Sequence, residues 1–140
     1  MDYRIQENCQ GIDWDVVYEI MTVSRMASRP LEKVRLAFEN SQRVVFVFDG
    51  DQMIGIGRAI SDGAYEAALY DVAVRPEYRG KGLGRLIVTT IQDSLPDMDM
   101  IFFAMPGVED FYRSMGYKKM LTGMAKFVRA EPMREKGFTD

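Results

Sequence analysis

The sequence predicts an α/β (α+β) fold in which a mixed sheet carries helices on both faces. Three observations indicate this fold: apolar runs of strand length, segments whose apolar residues recur at helical spacing, and a glycine-rich turn that joins a strand to a helix. The 140 residues fit one domain, 1–140, with no repeat or low-complexity tract. The polar end from Arg129 to Asp140 is expected to fray.

The first half of the chain predicts a strand, two helices and three further strands. Asp13 is expected to cap a helix that runs to about Met26, and a second helix begins around Ser28 and Pro30. The strands are expected from Tyr3 to Asn8, Arg43 to Asp49, Gln52 to Ile60 and Ala67 to Val74.

The second half predicts a parallel βαβ unit, a last helix and two closing strands. A helix opened by Gly84 ends at Pro96, and a buried strand from Met98 to Met105 follows it. The last helix begins near Val108, with Gly116 as its left-handed C′ residue. The closing strands are expected from Tyr117 to Met120 and from Met124 to Val128.

Composition excludes several kinds of site. A single cysteine, Cys9, rules out an internal disulfide and a thiolate-built metal cluster, and the chain has no histidine. The absence of histidine removes the usual zinc sites and every mechanism with an imidazole base, so no metal is expected. A net charge of −3 argues against a nucleic-acid partner held by phosphate contacts.

The sequence also lacks the usual signals of membrane association. No apolar run approaches the roughly 20 residues that a membrane-spanning helix requires. The segment from Met1 to Arg4 lacks the basic and apolar regions of a signal peptide. We therefore expect a cytoplasmic protein with no membrane partner.

The turn from Arg79 to Gly84 is the strongest candidate for a binding site. Its glycines let the backbone approach a ligand closely, and the helix that follows presents N–H groups and a partial positive charge. Cations crowd the same stretch against one acid, Glu77, in an otherwise acidic chain: Arg75, Arg79, Lys81 and Arg85. The alternative is a tight turn whose charges face water. A bound polyphosphate explains both the glycines and the charge.

Three phosphate-binding patterns compete for this turn. A Walker A loop needs a Ser or Thr after its Gly-Lys, and a dinucleotide fingerprint needs a Gly-x-Gly-x-x-Gly spacing; the chain has neither here. The pattern Arg-x-x-Gly-x-Gly is met by Arg79, Gly82 and Gly84. With the segments Val72 to Gly84 and Phe111 to Tyr117, it resembles the GNAT superfamily of acetyl-CoA-dependent N-acetyltransferases.

The resemblance implies a fold and a set of cofactor contacts. The sheet would be twisted and mostly antiparallel, with about six or seven strands, about four helices, and parallel, splayed fourth and fifth strands. Acetyl-CoA would be the cosubstrate. A tripeptide would pair with its pantetheine arm and the turn would hold its pyrophosphate, which makes the cofactor-binding residues Val72, Ala73, Val74, Arg79, Gly80, Lys81, Gly82, Leu83, Gly84 and Arg85.

The resemblance also implies the reaction, in which a neutral amine attacks the thioester through an oxyanion that a backbone N–H near Val72 could stabilise. Tyr112 matches the family tyrosine that protonates the departing thiolate, although it also lies on the apolar stripe of its helix. For the base, strand alternation aims Tyr70 at the site and Asp71 away, unless a bulge rotates them. A water chain to solvent, or pairing of Asp71 with Arg58, is the alternative.

The acceptor is expected to be a primary amine, with a small molecule favoured over a protein amine. The stretch from Gly57 to Val72 is loosely similar to a GNAT subgroup that includes aralkylamine acetylators. Other functions stay open: a non-catalytic acetyl-CoA-sensing module of the same fold, or a nucleotide-binding module. The identity of the amine, the acyl chain length and the oligomeric state, including a homodimer, are also left open.

Overall fold

The computed structural model describes residues 2–24 and 29–140. It divides into two compact units, the first extending to Phe102 and the second running from Phe103 to Asp140. Each unit is described below by itself.

The first unit is a five-stranded sheet with three helices. The strands lie in chain order across the sheet; every neighbouring pair is antiparallel except the parallel pair β4 and β5. The elements are β1 (Arg4–Gln6), α1 (Trp14–Val23), α2 (Leu31–Glu39), β2 (Arg43–Asp49), β3 (Gln52–Ser61), β4 (Glu66–Val74), a 3-10 turn (Pro76–Tyr78), α3 (Leu83–Asp93) and β5 (Asp99–Met100). The mixed, mostly antiparallel sheet with a parallel last pair is confirmed.

The helices α1 and α2 cover one face of this sheet. Their buried residues join those of the strands in one apolar cluster that includes Val17, Ile20, Val34, Phe38, Phe46, Ile56 and Ala73. The start of α1 is fixed as predicted, because the side chain of Asp13 accepts a hydrogen bond from the amide of Asp15. Pro30 precedes α2, while Met26 and Ser28, named in the predicted helix bounds, lie outside the described residues.

The third helix packs closely against the opposite face. A Cβ placed on Gly57 would lie 2.5 Å from Cγ2 of Ile87, and one on Gly55 would lie 3.0 Å from Cδ1 of the same residue. Because β3 has no side chains at these two positions, α3 approaches the sheet at the middle of the strand. Helices on both faces are therefore confirmed.

The second unit contains α4 (Glu109–Arg113) and α5 (Ala130–Glu135). The C-terminal end of α4 is as predicted: Gly116 has a φ of 93°, and its amide bonds to the carbonyl of Arg113 while that of Tyr117 bonds to Tyr112. These two bonds form a Schellman motif. The helix α5 lies within the stretch that was expected to be a polar tail.

Fewer strands form than the sequence predicts. Of the stretch from Met98 to Met105, only Asp99–Met100 is a strand, and neither predicted closing strand forms in the described chain. A strand needs a neighbour to pair with, and the apolar side chains of the closing segments, Met120 and Met124 among them, are exposed. None of the described helices is long and apolar enough to cross a membrane.

Candidate active site

The strand β4 has an open edge where it parts from β5. Only two residue pairs join these strands, both near the start of β4, and the amide of Ile101 donates one further hydrogen bond of 2.8 Å to the carbonyl of Ala67. The rest of β4, up to Val74, has no strand on this side in the described sheet. Backbone groups on that edge therefore have no strand partner in the described sheet.

A β-bulge interrupts β4 directly before the predicted tripeptide. Arg58 of β3 pairs with Tyr70, whereas Ile56, two positions earlier, pairs with Ala73, three positions later in β4. The strand β4 therefore carries one extra residue. Asp71, within the bulge, has a φ of 55°, in the left-handed region that non-glycine residues rarely adopt.

The bulge decides which way the side chains point. The guanidinium carbon of Arg58 lies 5.0 Å from the ring centre of Tyr70, and its Nε lies 2.7 Å from Oδ2 of Asp71, so Tyr70 and Asp71 share a face. Val72 lies on the α3 face, where its Cγ2 is 3.5 Å from the place of a Cβ on Gly57. Strict alternation, with Asp71 facing away from Tyr70, does not hold, because the bulge adds a residue.

The bulge also decides which backbone groups reach the open edge. Before it, the carbonyl of Ala67 bonds toward β5; after it, the amide of Arg75 donates a 2.8 Å hydrogen bond to the carbonyl of Ile54 in β3. Alternate residues of a strand direct their backbone groups to the same side. Val72 and Val74 therefore direct theirs to the open edge. The carbonyl of Val74 accepts a 3.3 Å hydrogen bond there from Nε of Arg79.

The turn after β4 enters α3 without a capping side chain. Gly80 and Gly82 have φ values of 77° and 80°, and a Cβ on either glycine would find no protein atom within 4 Å. The backbone here is left-handed and its outer side is open. With the amides and the positive dipole end of α3 behind it, this is an arrangement that suits a phosphate group.

The cations near the turn divide into two kinds. Arg75 is buried: its Nε donates a 2.9 Å hydrogen bond to the carbonyl of Met53, and its Nη1 lies 2.9 Å from a carboxylate oxygen of Glu19 in α1. It ties α1 to the sheet and does not face the turn's outer side. The cations on the exposed surface of the turn are Arg79, Lys81 and Arg85.

Tyr78 connects the segment before the turn to the sheet. Its hydroxyl donates a 2.6 Å hydrogen bond to Oδ2 of Asp49 at the end of β2, and this bond to a carboxylate raises the pKa of Tyr78. The ammonium of Lys81 lies 5.2 Å from the centre of the same ring. The turn is thereby fixed to the sheet on one side while its glycines stay open on the other.

Tyr112 belongs to the second unit, in α4. Its ring makes edge contacts with Phe111 and Tyr117 at centroid distances of 4.9 and 5.8 Å. Burial, and then the charge of Tyr117, raise the pKa of the Tyr112 hydroxyl. The phenol therefore keeps its proton through the neutral range, as a proton donor must. The other predicted site residues all belong to the first unit.

Sequence reasoning missed the contact of Arg29 with Asp71. Its Nη1 lies 3.2 and 3.1 Å from the two carboxylate oxygens. No local pattern indicates a pair separated by 42 positions, although the alternative of an Asp71 pair with Arg58 is confirmed. Across residues 2–24 and 29–140, no three acidic or cysteine side chains cluster as metal ligands would.

Comparison with known proteins identifies the family to which this strand, bulge, turn and helix belong. Residues 40–119 match the family described as Acetyltransferase (GNAT) domain. The match covers more than half of the chain, and the chain therefore belongs to the GNAT acetyltransferase family.

Curated relatives agree in family and differ in their names. The chain is 35% identical over 122 residues to an uncharacterized N-acetyltransferase ycf52 of Gracilaria tenuistipitata var. liui, covering 82% of this chain and 60% of that protein. It is 30% identical to histone acetyltransferase TAP1 of Glycine max (83% and 51% covered). It is 28% identical to serotonin N-acetyltransferase 2, chloroplastic, of Oryza sativa subsp. japonica (82% and 61%). The chain thus spans between about half and just under two thirds of these proteins.

A solved structure shows the same fold. The 1.7 Å crystal structure of the probable acetyltransferase SA2161 from Staphylococcus aureus superposes with a TM-score of 0.80 at 19% identity. The superposition covers 91% of this chain and 99% of that one. At this identity the likeness supports the mixed α+β fold alone.

Proposed function

We propose that this chain transfers an acetyl group from acetyl-CoA to a primary amine, with both substrates bound at once. The observation that carries the proposal is the continuity of the site: the open edge at Val72 and Val74 leads within one turn to the uncapped start of α3. Coenzyme A carries both an extended pantetheine arm, which would suit the edge, and a pyrophosphate, which would suit the turn.

Each predicted cofactor residue then has a task. The edge backbone groups of Val72 and the amide of Val74 hydrogen-bond the pantetheine arm, while the Val74 carbonyl accepts from Nε of Arg79. The amides from Arg79 to Gly84 hold the pyrophosphate. The side chains of Ala73 and Leu83 are buried in the core, so neither side chain contacts the cofactor. Arg79, Lys81 and Arg85 supply the charge that offsets the phosphates.

The chemistry needs little from the side chains beyond one proton donor. Holding amine and thioester together supplies most of the acceleration by proximity. A backbone N–H near Val72 stabilises the oxyanion, and the hydroxyl of Tyr112 protonates the departing thiolate. The amine loses its proton to water, because both oxygens of Asp71 are engaged by arginines. Tyr70, stacked on Arg58, forms part of the wall beside the acceptor.

For the acceptor we favour a small-molecule amine over a protein amine. The rice relative is named for serotonin, and the sequence from Gly57 to Val72 has a loose likeness to aralkylamine acetylators. The soybean relative is named for histones, which keeps a lysine acceptor as the second candidate. Both substrates present a primary amine, so the same site chemistry serves either.

The proposal is tested by incubating the full chain with acetyl-CoA and a metabolite mixture, then finding by mass spectrometry which amines gain an acetyl group. Competition with ATP and NAD tests the cofactor. The proposal is supported if small amines become acetylated and if bound acetyl-CoA is displaced by coenzyme A but not by ATP or NAD. Tight acetyl-CoA binding without any labelled amine would instead support a non-catalytic sensor. Displacement by ATP or NAD would support a nucleotide-binding module.

Two further predictions accompany the proposal. A cytoplasmic location is predicted from the sequence, whereas the rice relative is named as chloroplastic. Fluorescence microscopy of the tagged chain in its own cells decides between these locations. Whether the chain forms a homodimer is decided by measuring its molecular mass in solution.

A further inference from the structure

We propose that Asp71 is a positioning residue for the acetyl-CoA arm: its two arginine partners hold the β4 bulge, and the bulge turns the backbone of Val72 and Val74 to the open edge. The inference rests on the proposed function only in naming acetyl-CoA as the ligand of that edge. It assigns Asp71 no part in proton transfer.

The first step concerns the backbone. In the described residues, only Asp71 and Asp97 among non-glycine residues have a positive φ, 55° and 61°. Aspartate tolerates this region better than most residues but still prefers others. Asp97 lies in an exposed turn, where the chain must reverse. Asp71 lies inside a strand, where an ordinary extended conformation is available to it.

The second step concerns what holds Asp71 there. Its side chain is 5% exposed and lies 2.7 Å from Nε of Arg58, which is itself 8% exposed. The guanidinium of Arg29 contacts both carboxylate oxygens from the solvent side. Removing this carboxylate would leave the buried guanidinium of Arg58 without its closest partner.

Arg58 is in turn held on several sides. Its Nη1 lies 3.3 Å from Oγ of Ser41, and its guanidinium carbon lies 5.7 Å from the ring centre of Phe38 and 5.0 Å from that of Tyr70. The charged end therefore has a fixed place on the α1 and α2 face. Asp71 reaches it only if the strand turns that residue inward, which the bulge does.

The third step connects the bulge to the ligand. Without the extra residue, the pairing would slip by one position, and every residue after Asp71 would exchange its two sides. The backbone groups of Ala73, not those of Val72 and Val74, would then face the open edge. The ion pairs lie on one face of the sheet and act on the edge through the backbone alone.

The test compares variants of Asp71 with the same variants of Asp97. Asp71→Asn keeps a side chain that tolerates positive φ and removes the charge. Asp71→Ala removes both properties. Asp97→Asn and Asp97→Ala are the controls, because they make the same changes at a residue of positive φ away from the site. For each, the measurements are the Kd of coenzyme A by calorimetry, the kcat and KM for acetyl-CoA, and the pH profile of kcat.

The expected result is a Kd and a KM raised about tenfold in Asp71→Asn and about a hundredfold in Asp71→Ala. The pH profile of kcat keeps its shape, and both Asp97 variants keep the wild-type Kd. If Asp71→Ala does not fold, Asp71→Asn and Arg29→Gln, which removes the exposed partner, carry the test with Kd increases in the same direction.

A wild-type Kd in Asp71→Asn, with the acidic limb of the pH profile lost, would overturn the inference and make Asp71 a base. A wild-type chain that binds coenzyme A without acetylating any amine would overturn the proposed function, while the Kd comparison would still decide this inference. A wild-type chain that does not bind coenzyme A would overturn both.

Discussion

The Nε atom of Arg58 lies 2.7 Å from Oδ2 of Asp71, and the two side chains are 8% and 5% exposed. Breaking a buried pair leaves an uncompensated charge. We expect Arg58→Met to lower the free energy of unfolding by about 3 kcal/mol, measured by urea denaturation. Arg29, which still contacts Asp71, keeps the loss near the low end of the usual range.

The control for Arg58 is Arg35→Met. Arg35 pairs with Glu39 on the surface of α2, with side chains 58% and 44% exposed. An exposed pair contributes less than about 1 kcal/mol. Equal losses from the two variants would show that Arg58 gains nothing from its burial beside Asp71.

Gly82, which precedes α3, allows a prediction about the turn from Arg79 to Gly84. Its φ is 80°, so Gly82→Ala should cost about 1–2 kcal/mol of stability through backbone strain. It should also raise the Kd of coenzyme A at least about tenfold, because the new methyl group occupies the open side of the turn.

Gly11 is the matched control for Gly82. It has a φ of 67°, and a Cβ there would also meet nothing within 4 Å. Gly11→Ala should show a similar stability loss with an unchanged Kd. The phosphate assignment is contradicted when calorimetry gives Gly82→Ala the wild-type Kd.

Substitution of Arg79 should weaken coenzyme A binding, whereas substitution of Arg75 should lower the stability of the fold. Arg79→Gln removes an exposed charge at the turn and should weaken coenzyme A binding with little change in stability. Arg75→Gln breaks the contacts to Met53 and Glu19 and should cost about 2 kcal/mol of stability. Calorimetry and denaturation on both variants separate these effects; a destabilised Arg79→Gln with normal affinity would reverse the assignment.

Tyr112 should act on turnover and not on binding. We expect Tyr112→Phe to lower kcat about 10²-fold with the Kd of coenzyme A unchanged, because only proton donation is lost. The ring of Tyr117 contacts Tyr112 edge to face, which makes Tyr117→Phe the control for altered packing. An unchanged kcat in Tyr112→Phe would remove Tyr112 from the acid role.

We predict that the pKa of Tyr112 sets the alkaline limit of the proposed reaction. Burial raises this pKa above its ordinary value near 10. The folded protein favours the protonated phenol of Tyr112. The stability that this phenol contributes is therefore complete below pH values near the ordinary pKa, and it is lost as the pH rises through the raised pKa. We expect kcat to keep its Tyr112-dependent part up to at least about pH 10. This prediction would be contradicted if the kcat values of the wild type and of Tyr112→Phe became equal near neutral pH.

The strand, turn and helix of the candidate site could be predicted because their signals are local. The glycines at 80 and 82, the apolar strand before them and the periodic helix after them lie within about one βαβ unit of sequence. The bulge at Asp71 could not be placed, because one extra residue leaves the apolar pattern of a buried strand almost unchanged. The ion pair with Arg29 joins segments that only the folded sheet brings together.

The prediction of two closing strands is wrong for a related reason. The residues from Tyr117 to Val128 carry apolar side chains at strand-like intervals, yet strand formation depends on a partner that the pattern does not contain. Arg75 illustrates the same limit for charge. Its place beside Arg79 in the sequence indicates a shared role, whereas its burial against Glu19 gives it a structural one.

The most direct test of acetyl transfer is the rate of thiol release from acetyl-CoA by the wild-type chain, with serotonin, a histone-tail peptide and no amine compared in parallel. We predict that serotonin or another small primary amine accelerates release well above the amine-free rate, and that the peptide does so less. Saturable binding of acetyl-CoA with the same thiol release in every arm would contradict the proposed acetyltransferase activity.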